Sequence, residues 1–463
     1  MTKSFFALLG KILAGLVTIL ALFHAVENFR GARAWQAERQ RLEALGEELS
    51  WARLMPAAPR PKAISTGPTM ASDAAQWRRP DFLEAPGFRR DFVDPWLVAG
   101  PDGRVRVEHW RSLLLKPAPR RDSETPCAAG AAFLVALLPL DPVIERMVEA
   151  ARVGPIAEWN IQPGTPPSST VTPPLLAMRR LGKLLRLRIA AHFSCGAADR
   201  AADEIRVLAR LTHSLDGLPF AITCMMKMAL ADDLLDSIHD GLARGQLDAR
   251  RRAEVASLME DGWFASARLA LRAERNWLIF HAESPHSFVA TGRYATLGEI
   301  LMPHGWQLRQ AIHIARFTEE ALGLLADPTR LDPVAITGLP HGQNERFTPY
   351  NGVARMIEMS LERIARSAGA LQTRVQLTRI AFALTTYREK SGAYPSSLSD
   401  MPQDEWTPAP IDIVTGGRLQ YRRTEHGFSL YSVGWDLKDD GASPEPHLGF
   451  ASSRDWSLVI DAR

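Results

Sequence analysis

The amino-acid sequence predicts a mainly α protein: a single N-terminal transmembrane helix, an irregular α-helical bundle or short α-solenoid, and a small α+β C-terminal module. Three observations carry this expectation. Phe5 to Val26, FFALLGKILAGLVTILALFHAV, is an apolar run that as a helix reaches roughly 33 Å, enough to cross the hydrocarbon core of a bilayer. From about Phe133 to about residue 390, apolar residues recur at helical spacing between short breaks. Beyond Gly392 the pattern turns to alternation, in RLQYRR and GFSLYSVG.

The apolar run contains Lys11, whose long stem can carry its ammonium to the interface, and only Ile12 to Phe23 is free of charge. A cleaved signal peptide is the rival reading, with Lys3 and Lys11 as its charged region. His24 and Glu27 stand where a small-x-small cleavage site is wanted, so the segment 1–26 reads as an anchor that stays. Arg30, Arg33, Arg39 and Arg41 follow it, against the α-amine, Lys3 and Lys11 before it. That balance favours a cytoplasmic body, although large domains obey the rule loosely.

At 463 residues the chain has room for two or three domains. It is 46% hydrophobic and 23% charged, which is too apolar for a disordered chain. A net charge of +3 with interspersed signs, and no basic tract carrying aromatic residues, argues against nucleic acid as a partner. Cys127, Cys195 and Cys224 form neither a CxxC pair nor a disulfide framework and read as small apolar side chains. In a periplasmic body one pair could bridge, which spacing alone leaves open.

Residues 27–54 continue as a stalk helix whose stripe of Trp35, Leu42, Leu45 and Leu49 packs on the body in preference to a second copy. Residues 55–130 are a proline-rich extended wrap, with a short hairpin expected in Trp96 to Trp110 around Pro101-Asp102-Gly103. Residues 131–350 read as helical hairpins. Asp141-Pro142 opens one helix, and an arginine-rich helix follows Pro174. Further helices are expected over Asp199 to Leu215, Pro219 to His239, Asp248 to Arg272 and Ala290 to Arg316, with breaks at Gly196, Asp216-Gly217 and Gly241 to Gly245. The tryptophan, glycine and tyrosine period of a tetratricopeptide array is missing. Residues 351–463 predict a long helix ending at Gly392, a hairpin turning at Thr424-Glu425-His426, and a third strand, WSLVID.

Two resemblances rest on particular residues. ALTTYREKSGAYPSSLSDM, DIVTGGRLQYRR and GFSLYSVGWDLKDDGA, within roughly Leu371 to Ala442, resemble the soluble part of the major pseudopilins of type II secretion. The prepilin cleavage pattern is absent. RAWQAERQRLEALGEELSWARLMP, LRAER ending at Arg275, PHGWQLRQ from Pro303 to Gln310, and the same C-terminal run resemble a group of membrane-anchored bacterial envelope proteins of planctomycete and verrucomicrobial type. That likeness brings no established activity. It implies a body on the periplasmic side of the cytoplasmic membrane, against the charge balance, and this is the side the reading favours.

The sharpest candidate site is the acidic loop with Asp436, Asp439 and Asp440 before Gly441, whose hard oxygens suit a structural calcium ion. Pseudopilins bind calcium near such a loop, and the resemblance carries this loosely onto those three residues; Lys438 stands against it. His281, Glu283 and His286 in HAESPH lack the i, i+4 spacing of a helical metal pair, and Pro285 interrupts the helix. Glu274 with His281 is a conceivable acid–base pair, against the plainer reading of a helix-face ion pair. GxSxG, a phosphate-cradling glycine loop and a zinc-protease helix are absent. The expectation is a non-catalytic scaffold or interaction subunit with the membrane and other envelope proteins as partners. The alternatives are a pseudopilin-like component and a tethered hydrolase.

Overall fold

The first helix, α1 (Thr2–Ala44), runs unbroken from the apolar segment into the charged one. In the computed structural model the described residues are 2–54, 126–138, 141–153, 172–284, 302–339, 348–402, 411–442 and 455–461. The hairpin expected in 96–110 and most of the 55–130 wrap lie outside them. Along the chain follow α2 (Trp51–Leu54), α3 (Pro126–Ala136), α4 (Asp141–Val153), α5 (Thr172–Ser194), α6 (Ala198–His213) and α7 (Ala221–Ala243). Then come α8 (Ala249–Leu258), α9 (Trp263–Glu283), α10 (His304–Leu324), α11 (Pro333–Gly338) and α12 (Gly352–Ser391). Three strands close the chain, β1 (Gln420–Arg423), β2 (Gly427–Ser432) and β3 (Trp456–Asp461). The protein is thus mainly α with a small β module, as its sequence predicts. The chain divides into two compact units, one of residues 1–55, 268–324 and 335–362, the other of 56–267, 325–334 and 363–463.

In the first unit, α1 ends where Gly46 adopts φ +78, a conformation that costs glycine little. The Gly46 amide donates to Glu43 and the Glu47 amide to Leu42, which closes the last turn in a Schellman motif. The stalk helix expected over residues 27–54 therefore stops at Ala44, and α2 begins separately at Trp51. Trp35 packs with Ile279, Ala282, Leu308 and Ala311, with Leu49 against the cluster. Leu42 is fully buried, whereas Leu45, expected on the same stripe, is exposed because it sits in the terminal turn. The stripe docks on the protein's own body.

The second unit is built on α5, α6 and α7, which pack on one another through Leu185, Ile189, Phe193, Ile205, Leu208 and Leu234. Gly196 and Gly245 repeat the glycine-terminated helix end, at φ +74 and +65. Instead of one helix over Asp248 to Arg272, there are two. Gly262 at φ +90 separates α8 from α9. The arginine face of α5 is also not solvated. Arg188 is buried against Glu204, at 2.8 and 3.0 Å, and reaches Asp141 at 2.9 Å. Arg179 and Arg186 converge on Asp233, and Arg374 of α12 pairs with Asp232 and Asp236. Such charges must be paired once they leave water, and each of these is.

At the C-terminus, α12 terminates at Gly392 with φ +81, and the antiparallel sheet runs in the order β1-β2-β3. Tyr421 lies opposite Leu430, and Leu430 opposite Leu458. The Tyr421 hydroxyl donates to the Pro395 carbonyl at 2.8 Å, and the rings of Tyr394 and Phe428 meet edge to face at 5.0 Å. These contacts fix the chain between helix and hairpin.

Candidate functional site

The most sharply built region of the first unit is the junction where α1 changes character. Before it, Leu13, Leu16 and Ile19 are 61%, 59% and 66% exposed, so the described protein leaves this apolar surface uncovered. Immediately after it, Glu27 is buried. One of its carboxylate oxygens accepts from Trp306 Nε1 at 2.9 Å and from the Tyr350 hydroxyl at 3.0 Å, and the other from Arg30 at 2.9 Å. Asn28 Oδ1 accepts from the Gly305 amide at 2.9 Å and so satisfies one of the orphan donors at the start of α10. Phe23 meets the Trp306 ring edge to face at 5.9 Å, and the Arg309 guanidinium covers Tyr350 at 4.8 Å.

This junction depends on close backbone approach. A Cβ on Gly305 would stand 2.0 Å from the Glu27 carbonyl oxygen, and one on Gly31 would stand 2.3 Å from the Gly305 Cα. Glycine at both positions lets α1 and α10 touch through their main chains. Farther along, Glu38 accepts from Arg41 at 2.7 Å and from Arg316 at 3.1 Å. Arg275, fully buried, lies 2.9 Å from Glu47 and donates to the Glu48 carbonyl at 3.1 Å.

In HAESPH, Glu283 accepts from Trp35 Nε1 at 2.9 Å and from Arg39 at 2.7 Å, which makes it a structural anchor for α1. The His281 ring lies over Trp277 with centroids 3.6 Å apart, and burial lowers its pKa. Glu274 sits two turns earlier on α9. His286 lies outside the described residues.

Asp436, Asp439 and Asp440 follow β2 in a loop where Leu437, Gly441 and Ala442 have φ near +60 to +73. Asp436 Oδ1 accepts from the Lys438 amide at 3.1 Å. Asp439 Oδ1 accepts from the Gly441 amide at 2.9 Å and the Tyr431 hydroxyl at 3.0 Å. Two of the three carboxylates thus close their own turns. A fourth acid, Asp455, joins from the head of β3: its Oδ2 accepts from the Ala442 amide at 2.9 Å, while its buried Oδ1 has no hydrogen-bond partner among the described residues. Burial, then the charges of Asp440 and Asp439, raise the Asp455 pKa. Sequence reasoning missed Asp455 because the stretch before β3 has no period that ties it to the loop.

Among the described residues these acids do not bring three ligand oxygens together as a metal site does, so calcium here rests on the pseudopilin resemblance and is open to a direct test. Calcium at about 10 mM is expected to raise the unfolding midpoint by roughly 3–8 °C in the wild type and by nothing in Asp439→Ala. An unchanged wild-type midpoint, read by differential scanning fluorimetry, would remove the loop as a cation site.

Among the described residues, the set that does converge is His213, Asp216 and Glu260, with ligand atoms within 4.8 Å of one another. Its centre is already occupied by protein. Lys227 Nζ stands 2.5 Å from Asp216 and 2.6 Å from Glu260, over the Trp263 ring at 5.1 Å. The His213 Nδ1–H donates towards the Asp216 and Glu260 carboxylates, which hold the ring protonated and raise its pKa to about 10. Two cations are thus matched to two carboxylates, so the cluster is charge-neutral and internally paired.

The fold is that of a mainly α protein in which, among the described residues, one helix is long and apolar enough by length and composition to cross a membrane. Comparison with protein-family models, curated proteins and solved structures finds no match to this chain.

Proposed function

We propose that the protein is a single-pass, membrane-anchored scaffold or interaction subunit of the bacterial envelope, with its body on the periplasmic side of the cytoplasmic membrane. The observation that carries this reading is α1 itself, whose uncovered apolar half and buried docking half form one continuous helix. Removing the segment before Glu27 would place the Glu27 and Asn28 contacts at a fraying terminus, which favours an anchor that is retained. Met356 and Met359, one turn apart on α12, are 64% and 58% exposed in the first unit, and adaptable thioether side chains suit a protein-binding surface.

Arginine at both Val17 and Leu20 costs about 3 kcal/mol per residue at the bilayer centre and is expected to shift the protein from the alkali-resistant membrane pellet to the supernatant. Release of the wild type by the same carbonate wash would overturn the anchor. A photo-crosslinker at Met356 or Met359 in native membranes is expected to give discrete adducts; none at either position would remove the scaffold reading.

A pseudopilin-like component of a secretion apparatus is a second reading. It draws on the succession of α12, Gly392, Tyr394-Pro395 and hairpin, with Tyr421 bonded to Pro395. Intact mass separates the two, because this reading requires a processed N-terminus.

A further inference from the structure

Gly130 brings α3 against the C-terminal end of α5. A Cβ there would stand 2.3 Å from Ser194 Oγ, 2.9 Å from the Ala191 carbonyl oxygen and 3.2 Å from Cys195 Sγ, so only glycine allows the approach. Cys127 lies three residues earlier on α3 and hence on the same helical face. The consequence is a meeting of two cysteines 68 residues apart: Cys195 Sγ donates to the Cys127 carbonyl oxygen at 3.1 Å. Cys127 is exposed and Cys195 half-buried, whereas Cys224 is buried on α7.

We infer that Cys127 and Cys195 are a redox pair that closes to a disulfide by exchange with an external disulfide, stapling the start of α3 to the end of α5. The exposed Cys127 thiolate attacks the incoming disulfide, forms a mixed disulfide and releases one thiolate. Cys195 then attacks Cys127 Sγ and displaces the second. Two cysteines lose two electrons together, the incoming disulfide is reduced to two thiols, and the two cysteine protons pass to those leaving groups. The Cys195 pKa is raised by burial and then by the hydrogen-bonding Cys127 side chain, which agrees with thiols that face each other. Cys224, its pKa pushed up to about 12 by burial, is a poor competitor for exchange.

The test uses the full-length protein in mild detergent with oxidised glutathione, followed by alkylation under denaturing conditions and mass mapping. One alkylated thiol per chain, at Cys224, and a Cys127–Cys195 peptide 2 Da below its reduced mass are the expected results. Cys224→Ser should keep the bridge, and Cys127→Ser and Cys195→Ser should each lose it. Reduction of the bridged protein is expected to lower the unfolding midpoint by about 5–10 °C. Three alkylated thiols after the glutathione treatment, or a bridge that includes Cys224, would overturn the inference.

Discussion

Valine at Gly305 is expected to lower stability by about 3 kcal/mol or more and to free α1 from α10. The new side chain has to enter space held by the Glu27 carbonyl, 2.0 Å from its Cβ, and backbone cannot swing aside as a flexible side chain does. The Asn28 bond to the Gly305 amide and the Trp306 bond to Glu27 should be lost with it. Tryptophan fluorescence during thermal unfolding in detergent reads this directly, because Trp35 and Trp306 both belong to the interface. Gly15→Val is the matched control: nothing lies within 4 Å of its Cβ position, and its midpoint should stay within a degree or so. Equal midpoints for the two variants would remove the close crossing.

Lys227→Met should cost about 3 kcal/mol, because it leaves Asp216 and Glu260 facing each other with only His213 between them and also strips the cation from the Trp263 ring. The same cluster gives a pH signature. The folded-state pKa of His213, about 10, lies above its ordinary 6.5, so its contribution is complete below pH 6.5 and is lost as pH rises towards 10. Solvent screening of a partly exposed group reduces this to about 2 kcal/mol. Urea unfolding between pH 6.5 and 10 should therefore show falling stability in the wild type and a flatter profile in His213→Gln. Parallel profiles would show that His213 carries no such stabilisation.

The elements with strong local signals were legible in the chain. Gly196, Gly245 and Gly392 mark helix ends, and the alternation in RLQYRR and GFSLYSVG gives the hairpin with its register face. The Trp35 stripe predicts docking, because a tryptophan on an otherwise charged helix needs cover. Partners distant in sequence were not legible. Arg179, Arg186 and Arg188 have the spacing of a solvated face, and only the acids of α6 and α7 reveal them as paired interior charges. The break at Gly262 was hidden because helical spacing persists on both sides. In the acidic loop, three carboxylates were visible, but Asp455 enters from another strand. Trp35, Arg275 and Trp306, far apart in the sequence, come together in the first unit, where all three bond to acids close to α1 or on it.

The separation of Asn28 from Gly305, 277 residues, bears on biosynthesis. A ribosome adding about 5–20 residues each second reaches α10 some 15–55 s after it has made α1. Until then Glu27, Trp35 and the rest of the docking half of α1 lack the helix that packs on them. The nascent chain therefore waits with that docking surface unfinished until translation catches up.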